Sequence, residues 1–116
     1  MAFDEYLGER ITDILKRKKI DFYSKKMMGG LIFMVNNKMC CGIHLDKKSG
    51  LDLLMAKVGA EVYKTEIIKE VCLPMDFTGR AMKGYIFIIP EGYDLDRDLE
   101  YWITKAVDFN IENINT

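Results

Sequence analysis

Cysteine and histidine are the residues of this chain whose types could bind a metal. His44 is the only histidine, and Cys40 and Cys41 precede it in the segment Cys-Cys-Gly-Ile-His. A zinc site needs about four converging ligands, with Cys72 as a further candidate. On a regular strand Cys41 and His44 point to opposite faces, whereas Cys40 and His44 share a face but lie roughly 13 Å apart. The spacing therefore favours buried thiols, and we expect no metal and no cofactor.

Nucleophilic catalysis also has few candidate residues. Ser24 and Ser49 are the only serines, and a single histidine would have to serve any catalytic triad. A reactive thiolate stays open if Cys40 or Cys41 is exposed near Lys38, because a nearby cation lowers the pKa of a thiol. The sequence therefore favours a protein that is not an enzyme. A small-molecule or thiol-dependent enzyme that uses Cys40 or Cys41 is an alternative.

Methionine is unusually frequent, with eight residues, several of them beside glycine turns. Flexible thioethers fill irregular cores, and the same softness suits surfaces that accept partner proteins. We interpret the strand methionines Met34, Met39 and Met55 as core filling. For the methionines near turns both interpretations stay open. Together with their neighbours they form a candidate interaction surface, which comprises Met27, Met28, Gly29, Gly30, Pro74, Met75, Asp76, Phe77, Thr78, Gly79, Arg80, Met82, Lys83 and Gly84.

Basic residues are concentrated near the beginning of the chain, although the net charge is only −1. Lysine and arginine displace counterions from nucleic acid, so direct nucleic-acid binding is an alternative function. The interpretation we favour is a solvated helix end, where cations also suit the helix dipole. The candidate basic patch comprises Lys16, Arg17, Lys18, Lys19, Lys25 and Lys26.

Length and composition indicate the class of protein. A chain of 116 residues with 49% hydrophobic and 30% charged residues can build the core of a single globular domain, which we place at residues 1–116. No apolar run approaches the ~20 residues of a membrane-spanning helix, and the acidic beginning of the chain does not resemble an export signal. Three cysteines cannot form an even disulfide framework. We therefore expect a cytoplasmic protein with reduced thiols and no membrane partner.

The elements that position these residues alternate between helices and strands. Apolar residues spaced as on one helix face predict a first helix from Asp4 to about Lys19. Strands follow at 25–28, 31–35 and 38–45, with a further candidate at 51–58, and then a helix from Ala60 to about Val71. This order predicts an α+β domain with a mostly antiparallel sheet and helices packed on it.

The stretch 72–90 is the most β-prone part of the chain. Tyr85 to Ile89 reads as a strand buried on both faces, and with the shorter extended piece 73–77 it predicts a hairpin at the centre of the sheet. Asp94 is then expected to cap the last helix. The apolar stripe of that helix comprises Leu95, Leu99, Trp102, Ile103, Ala106 and Val107.

With these motifs in view, the chain resembles the N-terminal domain of the TfoX/Sxy family of competence regulators. The likeness runs through nearly the whole chain in order. Its most specific part is Pro-Met-Asp-Phe-Thr-Gly-Arg-Ala-Met-Lys-Gly-Tyr at 74–85. Further matching segments are Phe-Asp-Glu-Tyr-Leu at 3–7, Lys-Lys-Met-Met-Gly-Gly-Leu-Ile-Phe-Met-Val at 25–35 and Met-Cys-Cys-Gly at 39–42.

The resemblance implies an α-β(3)-α-β(2)-α domain similar to secretion-chaperone-like folds, and a regulatory role. Full-length members act with a cyclic-AMP receptor protein at competence promoters and carry a second, C-terminal domain. Here we expect a stand-alone N-terminal domain that acts as a non-catalytic regulatory or protein-interaction module. Its expected partner is a protein such as a transcription factor. A homodimer that pairs open sheet edges is a further expectation, with a monomer whose edges carry lysines as its alternative.

Overall fold

The computed structural model describes residues 4–27, 29–75 and 83–113. The described residues form three α-helices, six strands and one short 3-10 turn. In chain order these elements are α1 (Glu5–Arg17), β1 (Tyr23–Met27), β2 (Gly30–Val35), β3 (Lys38–Leu45), β4 (Asp52–Lys57), α2 (Gly59–Glu66), β5 (Cys72–Pro74), β6 (Tyr85–Ile88), the 3-10 turn (Pro90–Gly92) and α3 (Asp96–Glu112).

Helix α1 forms as its apolar spacing predicts. The Asp4 side chain caps the helix by accepting a hydrogen bond of 3.0 Å from the backbone N–H of Tyr6. Glu5 lies in the first turn, and Lys16 and Arg17 lie in the last, as the helix dipole prefers. The residues that α1 buries against the sheet are Leu7, Ile11, Ile14 and Leu15.

Helix α3 begins one residue later than predicted. Leu95 occupies the N-cap position, so the predicted cap at Asp94 is wrong. The backbone carbonyl of Asp94 accepts a hydrogen bond of 2.9 Å from the Arg10 guanidinium of α1. Leu95 is 53% exposed and does not belong to the buried stripe. The rest of that stripe, from Leu99 to Val107, packs into the core.

The sheet is antiparallel throughout and has the strand order β1-β2-β3-β4-β6-β5. The hairpin of β5 and β6 therefore lies at one end of the sheet, and its predicted central position is wrong. Strand β6 pairs with β4 on its other side, which explains its burial on both faces. Strand β5 lies at the edge, where Pro74 can be tolerated because an edge strand needs fewer backbone donors.

The α+β class is confirmed. The candidate strand at 51–58 is present as β4, so four strands rather than three precede α2. Helix α2 ends at Glu66, earlier than the predicted Val71. Among the helices in the described ranges, none combines the length and the apolar character that crossing a membrane would require.

The two faces of the sheet differ in what covers them. On the inner face, residues such as Phe33, Leu54 and Ile86 join the buried residues of the helices in one large core. On the outer face, a second and smaller cluster is built from strand residues and from residues next to strands. Its buried members are Leu53, Met55, Met75 and Phe87, with Ile32, Met39, Tyr85 and Ile89 packed around them.

A β-bulge in β3 decides which side chains reach each face. Phe33 pairs with Cys41, whereas Met34 pairs with Met39, so Cys40 is an extra residue on β3. The bulge turns both Cys40 and Cys41 into the inner core, where both are buried. The predicted shared face of Cys40 and His44 is therefore wrong, because the bulge interrupts the alternation between them.

Candidate interaction surface

The outer face of the sheet carries a small apolar pocket of about 110 Å³. Two residues of the predicted interaction surface, Met27 of β1 and Met75 after β5, line it together. Met27 is 47% exposed and forms an accessible side of the pocket, whereas Met75 is only 8% exposed. The structure thus brings together two methionines that lie 48 positions apart in the sequence. Ile32, Met39, His44, Met55 and Phe87 also line the pocket.

Ring stacking stiffens one wall of this pocket. His44 of β3 and Phe87 of β6 stack with ring centroids 5.2 Å apart and an interplanar angle of 9°. The imidazole therefore contributes a flat, partly polar wall beside flexible thioethers. The flexible methionine side chains can adapt to the shape of an apolar group, while the stacked rings keep their position.

The other predicted surface residues have different roles. Gly29 adopts a positive φ of 77° in the turn between β1 and β2. A side chain at Gly30 would collide with the Ile43 carbonyl, so this glycine allows β2 and β3 to pair closely. The buried Gly84 accepts hydrogen bonds from the N–H groups of Val58 and Gly59. Pro74 and Lys83 are exposed.

Half of the predicted surface cannot be placed. Met28, Asp76, Phe77, Thr78, Gly79, Arg80 and Met82 lie outside the described residues. For these seven positions the interaction surface stays a prediction.

The cysteines are held in the core. Cys40, Cys41 and Cys72 are all buried and none forms a disulfide. A hydrogen bond with the Cys40 thiol, together with burial, raises the pKa of Cys41 well above its usual value. Burial, followed by the nearby Glu66 carboxylate, raises the pKa of Cys72 to about 11. These shifts disfavour the thiolate that nucleophilic chemistry needs.

Metal binding finds no support in the described part of the chain. Within residues 4–27, 29–75 and 83–113, no three cysteine, histidine or acidic side chains converge as metal ligands. The bulge explains this for the Cys-Cys-Gly-Ile-His segment. It points both thiols into the inner core, while the His44 ring lies on the outer face.

The predicted basic patch is divided over several surfaces. Arg17 forms an ion pair of 3.3 Å with Glu100 of α3. Lys16 and Lys26 line a groove of about 430 Å³ between α1 and β1. Lys25 lies on the outer face, with its ammonium group 5.8 Å from the centroid of the Tyr23 ring. The remaining patch residues, Lys18 and Lys19, follow the end of α1.

A polar cluster between α2 and α3 had no signal in the sequence pattern. The Glu66 carboxylate is buried and accepts hydrogen bonds from Lys69 Nζ at 2.6 Å and from the Tyr101 hydroxyl at 2.8 Å. Burial alone would raise the pKa of Glu66, but these hydrogen bonds outweigh it and lower the pKa. The bond to Glu66 correspondingly raises the pKa of Lys69. This cluster joins α2 to α3.

Sequence reasoning missed most of the pocket. Met39 and Met55 were interpreted as core filling, which their packing in the outer cluster fits, but their place beside a pocket was not foreseen. His44 was considered only as a metal ligand or as the histidine of a catalytic triad. Part of the signal lies in the alternation of strand residues, because every second residue of β4, and of β3 on either side of its bulge, reaches the outer face. Reading it required the strand order and the bulge at Cys40, and neither follows from a single sequence.

These features define a small α+β domain with helices on one face of its sheet and an apolar pocket on the other. The family model described as the TfoX N-terminal domain matches residues 18–110, which is most of the chain. The chain therefore belongs to the TfoX N-terminal domain family, and the resemblance inferred from its motifs is confirmed. The comparison with curated proteins and the comparison with solved structures gave no match. The family relates the chain to the regulatory domain of competence regulators.

Proposed function

We propose that this protein is a regulatory protein-interaction module that receives an apolar side chain of a partner protein in the pocket on the outer face. The pocket is the observation that carries the proposal. Pockets for small molecules and cofactors usually enclose about 300–1,000 Å³, whereas this pocket has a volume of about 110 Å³. A volume of that size suits one aliphatic or aromatic anchor of a protein interface.

The lining of the pocket supports a protein partner as well. Methionine is enriched in protein interfaces, and its thioether adapts to differently shaped apolar groups. Met27 is accessible at the rim, while Met55 and Phe87 are buried beneath it. The buried cysteines lack the exposure that a thiol-dependent enzyme would need, which makes a regulatory role the better account of this chain.

The experiment is capture of the partner with variants that carry one negative charge on an exposed apolar position. Met27→Glu places a carboxylate at the rim of the pocket, where an apolar anchor would have to desolvate it. Ile68→Glu is the matched control, because Ile68 is 82% exposed and does not line the pocket. The tagged proteins are compared after nuclease treatment of lysate from the native cells.

We expect one protein to be retained by the wild type and by Ile68→Glu and to be lost with Met27→Glu. A photo-crosslinking residue at position 27 should join to that same protein. Equal retention by both variants would refute the pocket as the binding surface, provided that both variants unfold at the wild-type urea concentration.

A further inference from the structure

The open edge of the sheet at β1 is a second surface with the geometry of a binding site. Strand β1 is the first strand in the sheet order and pairs with β2 alone in the described part of the chain. All five of its residues are exposed. One edge of β1 therefore presents backbone N–H and C=O groups that an extended segment can pair with.

The space beside this edge is suited to an added strand. A groove of about 430 Å³ runs between β1 and α1, with the apolar residues Leu31 and Phe33 among those that line it. Ser24 and Lys26 project from β1 into the groove, because they pair with Phe33 and Leu31 on the inner face. A seventh strand would place alternate side chains over this groove and the others beside the outer face.

The two faces of β1 differ in charge. On the inner side, Lys16 and Lys26 share the groove with the carboxylates Glu5, Glu9 and Asp13 of α1, so the two signs nearly balance. On the outer side, Lys25 lies between Tyr23 and Met27 and forms no ion pair within the described ranges. The positive charge of Lys25 therefore favours a partner strand with a negatively charged side chain on the outer side.

This arrangement selects among the strands that could pair with β1. A second copy would bring its own Lys25 and Lys26 to the same edge, and like charges directly opposite each other destabilise a strand pair. Nucleic acid cannot form the backbone ladder that the edge offers. A segment with a carboxylate opposite Lys25 and uncharged residues over the groove matches the charges on both faces of β1.

We propose that the β1 edge binds an extended acidic peptide segment by strand addition, with its carboxylates beside Lys25. The proposal rests on the proposed function, because it names the kind of segment that the protein partner supplies. Met27 connects the two surfaces, since it belongs to β1 and also lines the pocket on the outer face.

The first test is binding of a fluorescein-labelled peptide, Thr-Glu-Val-Glu-Val-Glu-Thr, measured by fluorescence anisotropy. We expect Lys25→Glu to weaken its binding about tenfold, because the attractive pair between Lys25 and the glutamate opposite it becomes repulsive. Lys25→Glu should also gain affinity for the peptide in which every Glu is replaced by Lys. Lys48→Glu is the matched control, because Lys48 is exposed in the turn between β3 and β4 and the change in net charge is the same.

The second test separates strand addition from charge attraction. Only one edge of the peptide pairs with β1, so two peptides with N-methyl groups on alternate residues should differ. We expect one N-methylated peptide to lose binding about tenfold or more and the other to bind like the parent peptide. Equal binding of both, or equal binding of a sequence-scrambled peptide, would overturn the proposal.

Other occupants give distinct results. A single-stranded oligonucleotide that binds where the acidic peptide does not would overturn the proposal in favour of a nucleic-acid surface. A concentration-dependent dimer in sedimentation that competes with the acidic peptide for the β1 edge would overturn it in favour of a second copy. If the captured partner is lost with Met27→Glu but kept with Lys25→Glu, the proposed function stands and strand addition fails.

Discussion

At the residue scale, the structure explains why the adjacent cysteines of this chain are poor nucleophiles. Cys40 and Cys41 look like a vicinal thiol pair in the sequence, but the β-bulge buries both of them. A buried thiol with a raised pKa stays protonated near neutral pH and is a poor nucleophile. The same bulge separates these thiols from His44, so the three side chains do not converge on one point.

Glu66 is the residue whose charge should matter most for stability at acidic pH. Its pKa in the folded protein lies below the ordinary value of 4.5, because Lys69 and Tyr101 donate hydrogen bonds to the carboxylate. A lowered folded-state pKa stabilises the protein above about pH 4.5, and this contribution is lost as the pH falls through the lower value.

We therefore predict that Glu66→Gln destabilises the protein at pH 7 and loses less stability than the wild type between pH 7 and pH 3. Urea unfolding at the two pH values measures both effects. Glu70→Gln is the matched control, because Glu70 is exposed and forms no hydrogen bond or ion pair within the described ranges. An identical change of stability with pH in the wild type and in Glu66→Gln would contradict the lowered pKa of Glu66.

At the element scale, the junction between β4 and α2 depends on one glycine. Gly59 begins α2 with a φ of 88°, and a Cβ atom there would lie 2.4 Å from the ring of Phe109 in α3. Two effects therefore oppose any side chain at this position, namely the left-handed backbone and the contact with the ring. Gly50 has a similar φ of 74° but has open space around it, so it isolates the first effect.

We predict that Gly50→Ala lowers the free energy of unfolding by about 1 kcal/mol. Gly59→Ala should lower it by a further 1–3 kcal/mol or so, because Phe109 must shift. Chemical denaturation of the two variants at the same pH gives the comparison. Equal losses would show that Phe109 moves aside without cost, and the close contact between Gly59 and Phe109 would then contribute nothing to stability.

Elements with a strong period were predictable, whereas those that depend on tertiary context were not. The apolar spacing of α1 and the run of β6 identify both elements, because one period dominates each segment. The position of β6 beside β4 and the early end of α2 are set by contacts between distant segments. The outer pocket could be predicted only in part, since Met27 and Met75 were assigned to an interaction surface but His44 and Phe87 were not.

At the scale of the whole molecule, helix α1 is part of the domain although the family match begins at residue 18. Ile11 and Leu15 are completely buried in the same core as the α3 residues Leu99 and Ile103. The Arg10 guanidinium adds a polar connection, because it donates hydrogen bonds to backbone carbonyl groups and to a carboxylate just before and at the beginning of α3. The core is therefore closed by an element outside the matched region.

We predict that Ile11→Ala lowers the free energy of unfolding by about 2–5 kcal/mol, the usual cost of removing a large aliphatic group from a packed core. Thr12→Ala is the control at the next position, where the side chain is half-buried and the expected change is within about 0.5 kcal/mol. A chain that begins at residue 18 should lose cooperative unfolding altogether, because the part of the inner core that α1 covers would be exposed to water. If that shorter chain unfolds cooperatively near the wild-type urea concentration, α1 is an accessory to the domain and the inner core is built by α2 and α3 alone.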